Sequence, residues 1–321
     1  MSKEKHFVLS EEERSSFLRL GESFGESDVL YGKTNQMARN LLSPVVEKIL
    51  PADIVAAIFE MKDGVGPELM TISNLPFDED LPSDEALDVR VLQKTKISET
   101  CLVGINSLLG GEMQEERSSH QPGCIHQVTP VEKFVGEASG RGGGGIPFHA
   151  ENMFVKNSPT FLSLFCIKGE VGVETEYLYV SDIVKRLDEE TINALKKPIY
   201  TISSGDGFDQ KVLSNSPVLD DLGSGWIACR FYEEDRIFSE GLEGKGAIEM
   251  LHAAINAARD EDTKSVELTS GTLLLFSNAI RKGACGGVLH GRRGDMSIKK
   301  TASSNASNNR WLQRVCVELS Y

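Results

Sequence analysis

The sequence predicts an α+β chain that is mainly β, with a double-stranded β-helix (jelly roll) core and with N-terminal and inserted helices packed outside it. Three observations carry that expectation. Short runs rich in β-branched and aromatic residues crowd the second half of the chain. Helical periodicity is confined to the first part and to two later segments. A His-x-Glu pair on an early strand is answered by a histidine near the end, a placement by which a two-sheet roll can hold a metal in its open mouth.

Taken in order, Ser10 followed by Glu11, Glu12 and Glu13 reads as an N-cap with acidic first-turn residues, and Phe17, Leu18 and Leu20 supply an apolar stripe. A helix is therefore expected over 10–23, with another near 33–49. Residues 54–61 read as a strand and 98–109 as a helix. Strands are expected at 124–130, 146–155, 160–168, 175–180, 226–232, 265–276 and 311–319. Helical patterns interrupt them at 181–196, where Ser181 is the expected cap, and at 244–260, where Ile248, Leu251 and Ile255 stand at helical spacing. Without an internal repeat or interdomain linker, residues 1–321 are expected to form one domain, 1–95 as helical support and 96–321 as the core.

The 321 residues, 40% of them hydrophobic, are enough to bury a sizeable core. Lysine and arginine number 34 against 48 aspartates and glutamates, a net charge of −14, so a nucleic-acid backbone would be repelled. A cationic small substrate would be tolerated, although an acidic total is also the ordinary surface of a soluble protein. The six cysteines include no Cys-x-x-Cys pair and mostly lie in apolar runs, which fits a reducing cytosol. The first residues lack the apolar core of a signal peptide and no run is long enough to span a bilayer. The expectation is a cytoplasmic protein whose partner is a small molecule, with neither nucleic acid nor membrane.

The chemistry centres on Pro147-Phe148-His149-Ala150-Glu151 and Val288-Leu289-His290-Gly291-Arg292. On a strand, alternate side chains share a face, so His149 and Glu151 can grip one metal while Ala150 points away. His290, from a distant strand, would complete two histidines and one carboxylate on one face of an octahedron, the arrangement of non-haem Fe(II) oxygenases. His-x-Glu by itself is common, usually a half-buried histidine beside a surface glutamate. The glycine-rich 139–145 lacks the strand and helix that flank a dinucleotide loop; it reads equally as a floppy connection or a mobile lid. His6, His120, His126 and His252 have no spacing that assigns them a role.

Further motifs occur in a definite order: Leu108-Leu109-Gly110, Gln127-Val128-Thr129-Pro130-Val131, Thr175, Arg230-Phe231-Tyr232-Glu233-Glu234-Asp235, Gly271 to Asn278, and Arg310-Trp311-Leu312-Gln313-Arg314. Together with the histidine motifs they resemble the clavaminate synthase-like branch of the Fe(II)/2-oxoglutarate oxygenases, in the taurine dioxygenase superfamily, over roughly residues 100–321. That branch includes hydroxylases of free asparagine and arginine.

The resemblance implies that His149, Glu151 and His290 ligate Fe(II), with 2-oxoglutarate and O2 as co-substrates. It implies Arg310, with Thr175, for the far carboxylate of 2-oxoglutarate, and Arg314 for its near carboxylate or that of an amino-acid substrate. Gln114 and Ser139 would hold the substrate's α-groups, and Glu234 and Asp235 a cationic or amide side chain, while Glu233 faces solvent. Because halogenases of this kind carry a small residue at the position of Glu151, the resemblance favours hydroxylation of a free amino acid such as arginine, lysine or asparagine. Desaturation or cyclisation of a natural-product intermediate by the same iron, and a cupin-like metal protein that is no oxygenase, are the alternatives. The sequence departs from the pattern in having Ser277-Asn278 where Asp-Asn is usual, and in apparent insertions at 280–287 and 294–309. Lid loops are accordingly expected near 136–146, 279–289 and 294–309.

Overall fold

The computed structural model describes residues 2–24, 30, 36–79, 95–115, 123–134, 137, 139–204, 212–223, 226–233, 236–281, 287–296 and 309–319. The chain begins with β1 (Glu4–Val8), helices α1 (Glu11–Phe24), α2 (Gln36–Ile49) and α3 (Ala52–Lys62), β2 (Leu69–Ser73), α4 (Ile97–Ser107), β3 (Glu112–Met113) and β4 (His126–Val128). There follow β5 (Ile146–His149), β6 (Phe161–Lys168), β7 (Glu174–Tyr179), α5 (Val180–Val184), α6 (Glu189–Leu195), β8 (Tyr200–Ser203), β9 (Val212–Ser216) and β10 (Leu219–Gly223). The rest comprises β11 (Trp226–Cys229), β12 (Ile237–Phe238), α7 (Leu242–Asp262), β13 (Lys264–Glu267), β14 (Thr272–Ser277), β15 (Ala279–Arg281), β16 (Val288–Arg293) and β17 (Trp311–Glu318).

Local chemistry accounts for several boundaries. Ser10 Oγ accepts from the Glu13 N–H while the Glu13 carboxylate accepts from the Ser10 N–H, a reciprocal cap that starts α1. Residues 54–61, expected as a strand, belong to α3: Ile54, Ala57, Ile58 and Met61 are buried at i, i+3, i+4 and i+7, a helical stripe hidden in a β-branched composition. The expected helix 181–196 is two helices, and Asp188 caps the second by accepting from the Thr191 N–H. Ser181 lies inside α5 and accepts from Lys3 Nζ instead of capping. The expected strand 265–276 is also two, β13 and β14, in different sheets.

Two sheets position the site. One has seven strands in the order β1-β2-β14-β6-β17-β3, with β4 also paired to β17; the other has four in the order β13-β7-β16-β5. Alternation assigns each strand face. Leu162, Leu164 and Cys166 of β6, Leu274 and Phe276 of β14, and Leu312 and Cys316 of β17 share a buried cluster with Tyr177 and Tyr179 of β7 and Val288 of β16. That layer joins the two sheets. The intervening residues Phe161, Phe165, Leu273, Leu275, Trp311 and Val315 pack on the other side against apolar residues of α1 to α4, among them Phe17, Val46, Ile58 and Leu102. Behind the four-stranded sheet, Phe148, Leu178 and Leu289 bury against Ile183, Leu195, Leu251 and Ile255 of α5 to α7. The N-terminal segment thus adds β1 and β2 to the larger sheet as well as its helices. Among the described residues no helix is long and apolar enough to cross a membrane.

Candidate metal centre

His149 and His290 face each other in antiparallel register between β5 and β16, their ring centroids 4.2 Å apart. His290 comes from the face of β16 that carries Val288 and Arg292, towards the layer between the sheets. Its ring lies 4.8 Å from Phe276 of β14.

Glu151 arrives differently from the expectation. Strand β5 ends at His149, and Glu151 stands in the turn that follows rather than two places along the same strand. Three bonds fix that turn: the Ala150 N–H donates to Phe231 O at 2.8 Å, the Glu151 N–H to Asn278 Oδ1 at 2.9 Å, and Asn278 Nδ2 to Glu151 O at 3.1 Å. Asn278 also donates to Pro159 O at 2.9 Å, and Asn152 supports the reversal with φ of 49°. Next along the chain, the buried Arg230 guanidinium donates to Met153 O, Val155 O, Lys156 O and Ser158 Oγ, and it pairs with Asp220.

The donor atoms of His149, Glu151 and His290 converge within 4.8 Å of one another. His149 Nδ1 lies 2.9 Å from Pro147 O, which leaves Nε2 for a metal. His290 Nε2 is 3.6 Å from one Glu151 oxygen and Arg314 Nη1 is 2.8 Å from the other. Removal from water, reinforced by the neighbouring His290, lowers the His149 pKa to about 4 against the pull of Glu151, so the ring is neutral at physiological pH. Burial alone would raise Glu151, but the Arg314 guanidinium first, and the two histidines after it, hold its carboxyl well below the usual carboxylate range. Two imidazoles and one carboxylate on converging supports fit an iron ion.

The residues expected to bind 2-oxoglutarate divide. Thr175, buried on β7, pairs with Arg292 of β16, two positions along from His290. Arg310 is 3% exposed just before β17; among the described residues its Nε has no hydrogen-bond partner, and its Nη1 is 3.9 Å from Met296 Sδ. Burial lowers the pKa of Arg310, and that of Arg292 falls to about 10 through burial and then the proximity of Arg310. Arg314 stands at the metal triad through its ion pair with Glu151.

Of the expected substrate residues, Gln114 donates its side-chain amide to Asn157 O at 2.7 Å and Glu318 Oε2 at 2.8 Å. Ser139 Oγ accepts from the N–H groups of Arg141 and Gly142, closing a turn in the glycine-rich segment. Glu234 and Asp235 lie outside the described residues. Glu233, expected to face solvent, is bound to the metal strand: it accepts from the Phe148 N–H at 3.1 Å and pairs with Arg259 of α7. Of the expected lids, 279–281 form β15, which pairs with β11, and 139–145 are bonded to Arg292; positions 282–286 and 297–308 lie outside the described residues. Sequence reasoning passed over Asn278, Arg230 and Arg292, although all three sit inside motifs quoted for other residues.

No family model matches the chain, and no curated protein sequence matches it. Solved structures do. An asparagine oxygenase in complex with Fe(II), 2S,3S-3-hydroxyasparagine and succinate is 17% identical, covering 98% of this chain and 93% of that one, with a TM-score of 0.73. The non-heme iron oxygenase OrfP in complex with Fe and alpha-ketoglutaric acid is 19% identical over 98% of this chain and 94% of its own, with a TM-score of 0.75. OrfP with Fe and L-Arg is 18% identical over 97% and 93%, at 0.71. The chain therefore has, over nearly its whole length, the fold of these iron oxygenases.

Proposed function

We propose that the chain is an Fe(II)/2-oxoglutarate-dependent dioxygenase that hydroxylates a C–H bond of a free L-amino acid with a polar or basic side chain, releasing succinate and CO2. The observation that carries this reading is the convergence of His149, Glu151 and His290 within 4.8 Å beside buried arginines, in the fold of proteins solved with iron and hydroxylated asparagine or L-Arg. The two sheets and their shared layer then form a jelly-roll core, within a single domain that works in the cytoplasm. Five described cysteines are buried and free, in keeping with a reducing compartment.

Iron bound by the triad supplies the oxidation of an unactivated C–H bond, using O2 and 2-oxoglutarate. The chain's residues bind and orient. Neutral His149 and ionised Glu151 are already in their ligating protonation states, so no proton need leave either before a metal binds. Arg310, with Thr175, suits the far carboxylate of 2-oxoglutarate because a buried guanidinium with a free N–H calls for an anion. Arg314, paired with Glu151 beside the triad, would be the guanidinium placed to meet a second carboxylate, of the co-substrate or of the amino acid, were Glu151 to hold a metal. Gln114, Ser139, Glu234 and Asp235 are the proposed substrate residues.

The test is succinate formation by Fe(II)-loaded protein against a panel of free L-amino acids, with mass spectrometry for a gained oxygen and His149→Ala as control. Stimulation by one amino acid, with a product heavier by one oxygen and lost in the variant, is the expected result. No succinate from folded, iron-replete protein overturns the proposal, and a product that lacks the oxygen but has lost two hydrogens replaces hydroxylation by desaturation or ring closure.

A further inference from the structure

The glycine-rich segment 139–145 is built around one guanidinium. Arg292, 6% exposed on β16, donates from Nε to Gly144 O at 3.0 Å, and from Nη2 to Gly142 O at 2.9 Å, to Ser139 O at 3.3 Å and to Gly144 O again. Its Nη1 is 3.6 Å from Met296 Sδ, and the Met296 N–H donates to Gly143 O at 2.7 Å. The same sulfur lies 3.9 Å from Nη1 of Arg310. One thioether therefore bridges the cation that holds the glycine wall and the cation whose Nε has no partner among the described residues.

The glycines serve close approach here. A Cβ on Gly142 would fall 1.8 Å from Glu137 O, and one on Gly145 would fall 3.2 Å from Arg292 O. Among the described residues Arg292 makes no ion pair; its charge meets carbonyl dipoles and a sulfur, beside a second buried guanidinium that opposes it and the Asp295 carboxylate that favours it less. Two buried like charges repel, with the Asp295 carboxylate acting in favour of Arg292 and that of Glu170 in favour of Arg310. A dianion seated at Arg310 relieves both, and whatever it gains from Arg292 must stabilise the wall in return, since coupling between sites is reciprocal.

Resting on the co-substrate reading above, we infer that Arg292 is a positioning residue that couples dicarboxylate binding at Arg310 to closure of the 139–145 wall, with Met296 as the contact between them. The floppy connection and the mobile lid are then two states of one element, and the dicarboxylate selects the ordered one.

The test uses full-length, Fe(II)-loaded protein without oxygen, titrated with 2-oxoglutarate by calorimetry, with backbone hydrogen exchange followed across 139–145. In wild type 2-oxoglutarate slows exchange there. Arg292→Lys, which keeps a charge but cannot fork to several carbonyls, keeps the Fe(II) affinity, weakens 2-oxoglutarate by about tenfold, and leaves exchange fast whether or not the acid is present. Should that variant fail to fold, Met296→Leu keeps the volume and removes the bridge, and it weakens 2-oxoglutarate by about fivefold with the same loss of protection. Unchanged 2-oxoglutarate affinity in the folded variants, or wild-type exchange indifferent to 2-oxoglutarate, overturns the coupling. Wild-type protein that binds no 2-oxoglutarate at all overturns the functional reading and the coupling with it, a pattern distinct from a loss confined to the variants.

Discussion

Replacing Asn278 by alanine removes three hydrogen bonds at once: from the Glu151 N–H at 2.9 Å, to Glu151 O at 3.1 Å and to Pro159 O at 2.9 Å. The site is 2% exposed, so the N–H and two carbonyls lose their partners in a place where water enters poorly. Each stranded buried group costs about 1–3 kcal/mol, and a water filling the vacated amide volume offsets part of that, leaving a loss of about 3 kcal/mol. The same bonds aim the carboxylate ligand, and lost supports of this kind weaken metal binding by about 10- to 100-fold. Asn278→Asp fares no better, because a carboxylate keeps the acceptor for the Glu151 N–H but turns its second oxygen towards two carbonyls. Urea unfolding of metal-free protein measures the first quantity and Co(II) titration the second. A loss below about 1 kcal/mol together with Co(II) affinity unchanged within about twofold would refute the argument that Asn278, rather than strand geometry, places Glu151.

Arg230→Met leaves Asp220 and the carbonyls of Met153, Val155 and Lys156 unmatched, and it should cost about 3–5 kcal/mol, read as a lower Tm; an unchanged Tm would show that the turn after Glu151 stands without it. Burial lifts the Glu68 carboxyl to about 7, Asp182 adding to the rise and Lys3 opposing it, whereas the unfolded group titrates near 4.5. The folded state binds that proton more tightly, so its contribution is complete below pH 4.5 and lost as pH rises through 7. Glu68→Gln should therefore exceed wild type in stability at pH 8 by up to about 3 kcal/mol and show no such gain at pH 5. Equal differences in urea unfolding at the two pH values would count against the shifted carboxyl.

The parts of the fold that depend on neighbours in sequence were legible in the sequence. The cap of Ser10 with Glu13 closes within three residues, and the alternation of β6 and β17 is local, which is why both strands fall close to their expected limits. In α3 two local signals compete: β-branched residues favour a strand, and the buried stripe at 54, 57, 58 and 61 decides for a helix once α3 packs against the larger sheet. The three candidate ligands that the structure brings within 4.8 Å of one another could be picked out in the sequence because the residue types and their order limit the chemistry.

How those ligands meet was not readable. Sequence periodicity alone would extend β5 through Glu151, yet the strand stops at His149, because the partners of the next two N–H groups, Phe231 and Asn278, arrive from 81 and 127 residues away. In the same way Arg292 looks like part of a histidine motif, but its hydrogen-bond partners lie about 150 residues earlier in the glycine-rich segment. By itself the sequence determined which side chains are candidates for the chemistry and the face each strand presents, since side-chain type and a period of two are local properties. Only the tertiary structure decided where β5 ends, that Asn278 aims Glu151 and that Arg292 holds the glycine wall, because a buried N–H or guanidinium takes its acceptor from whichever segment folding brings within reach.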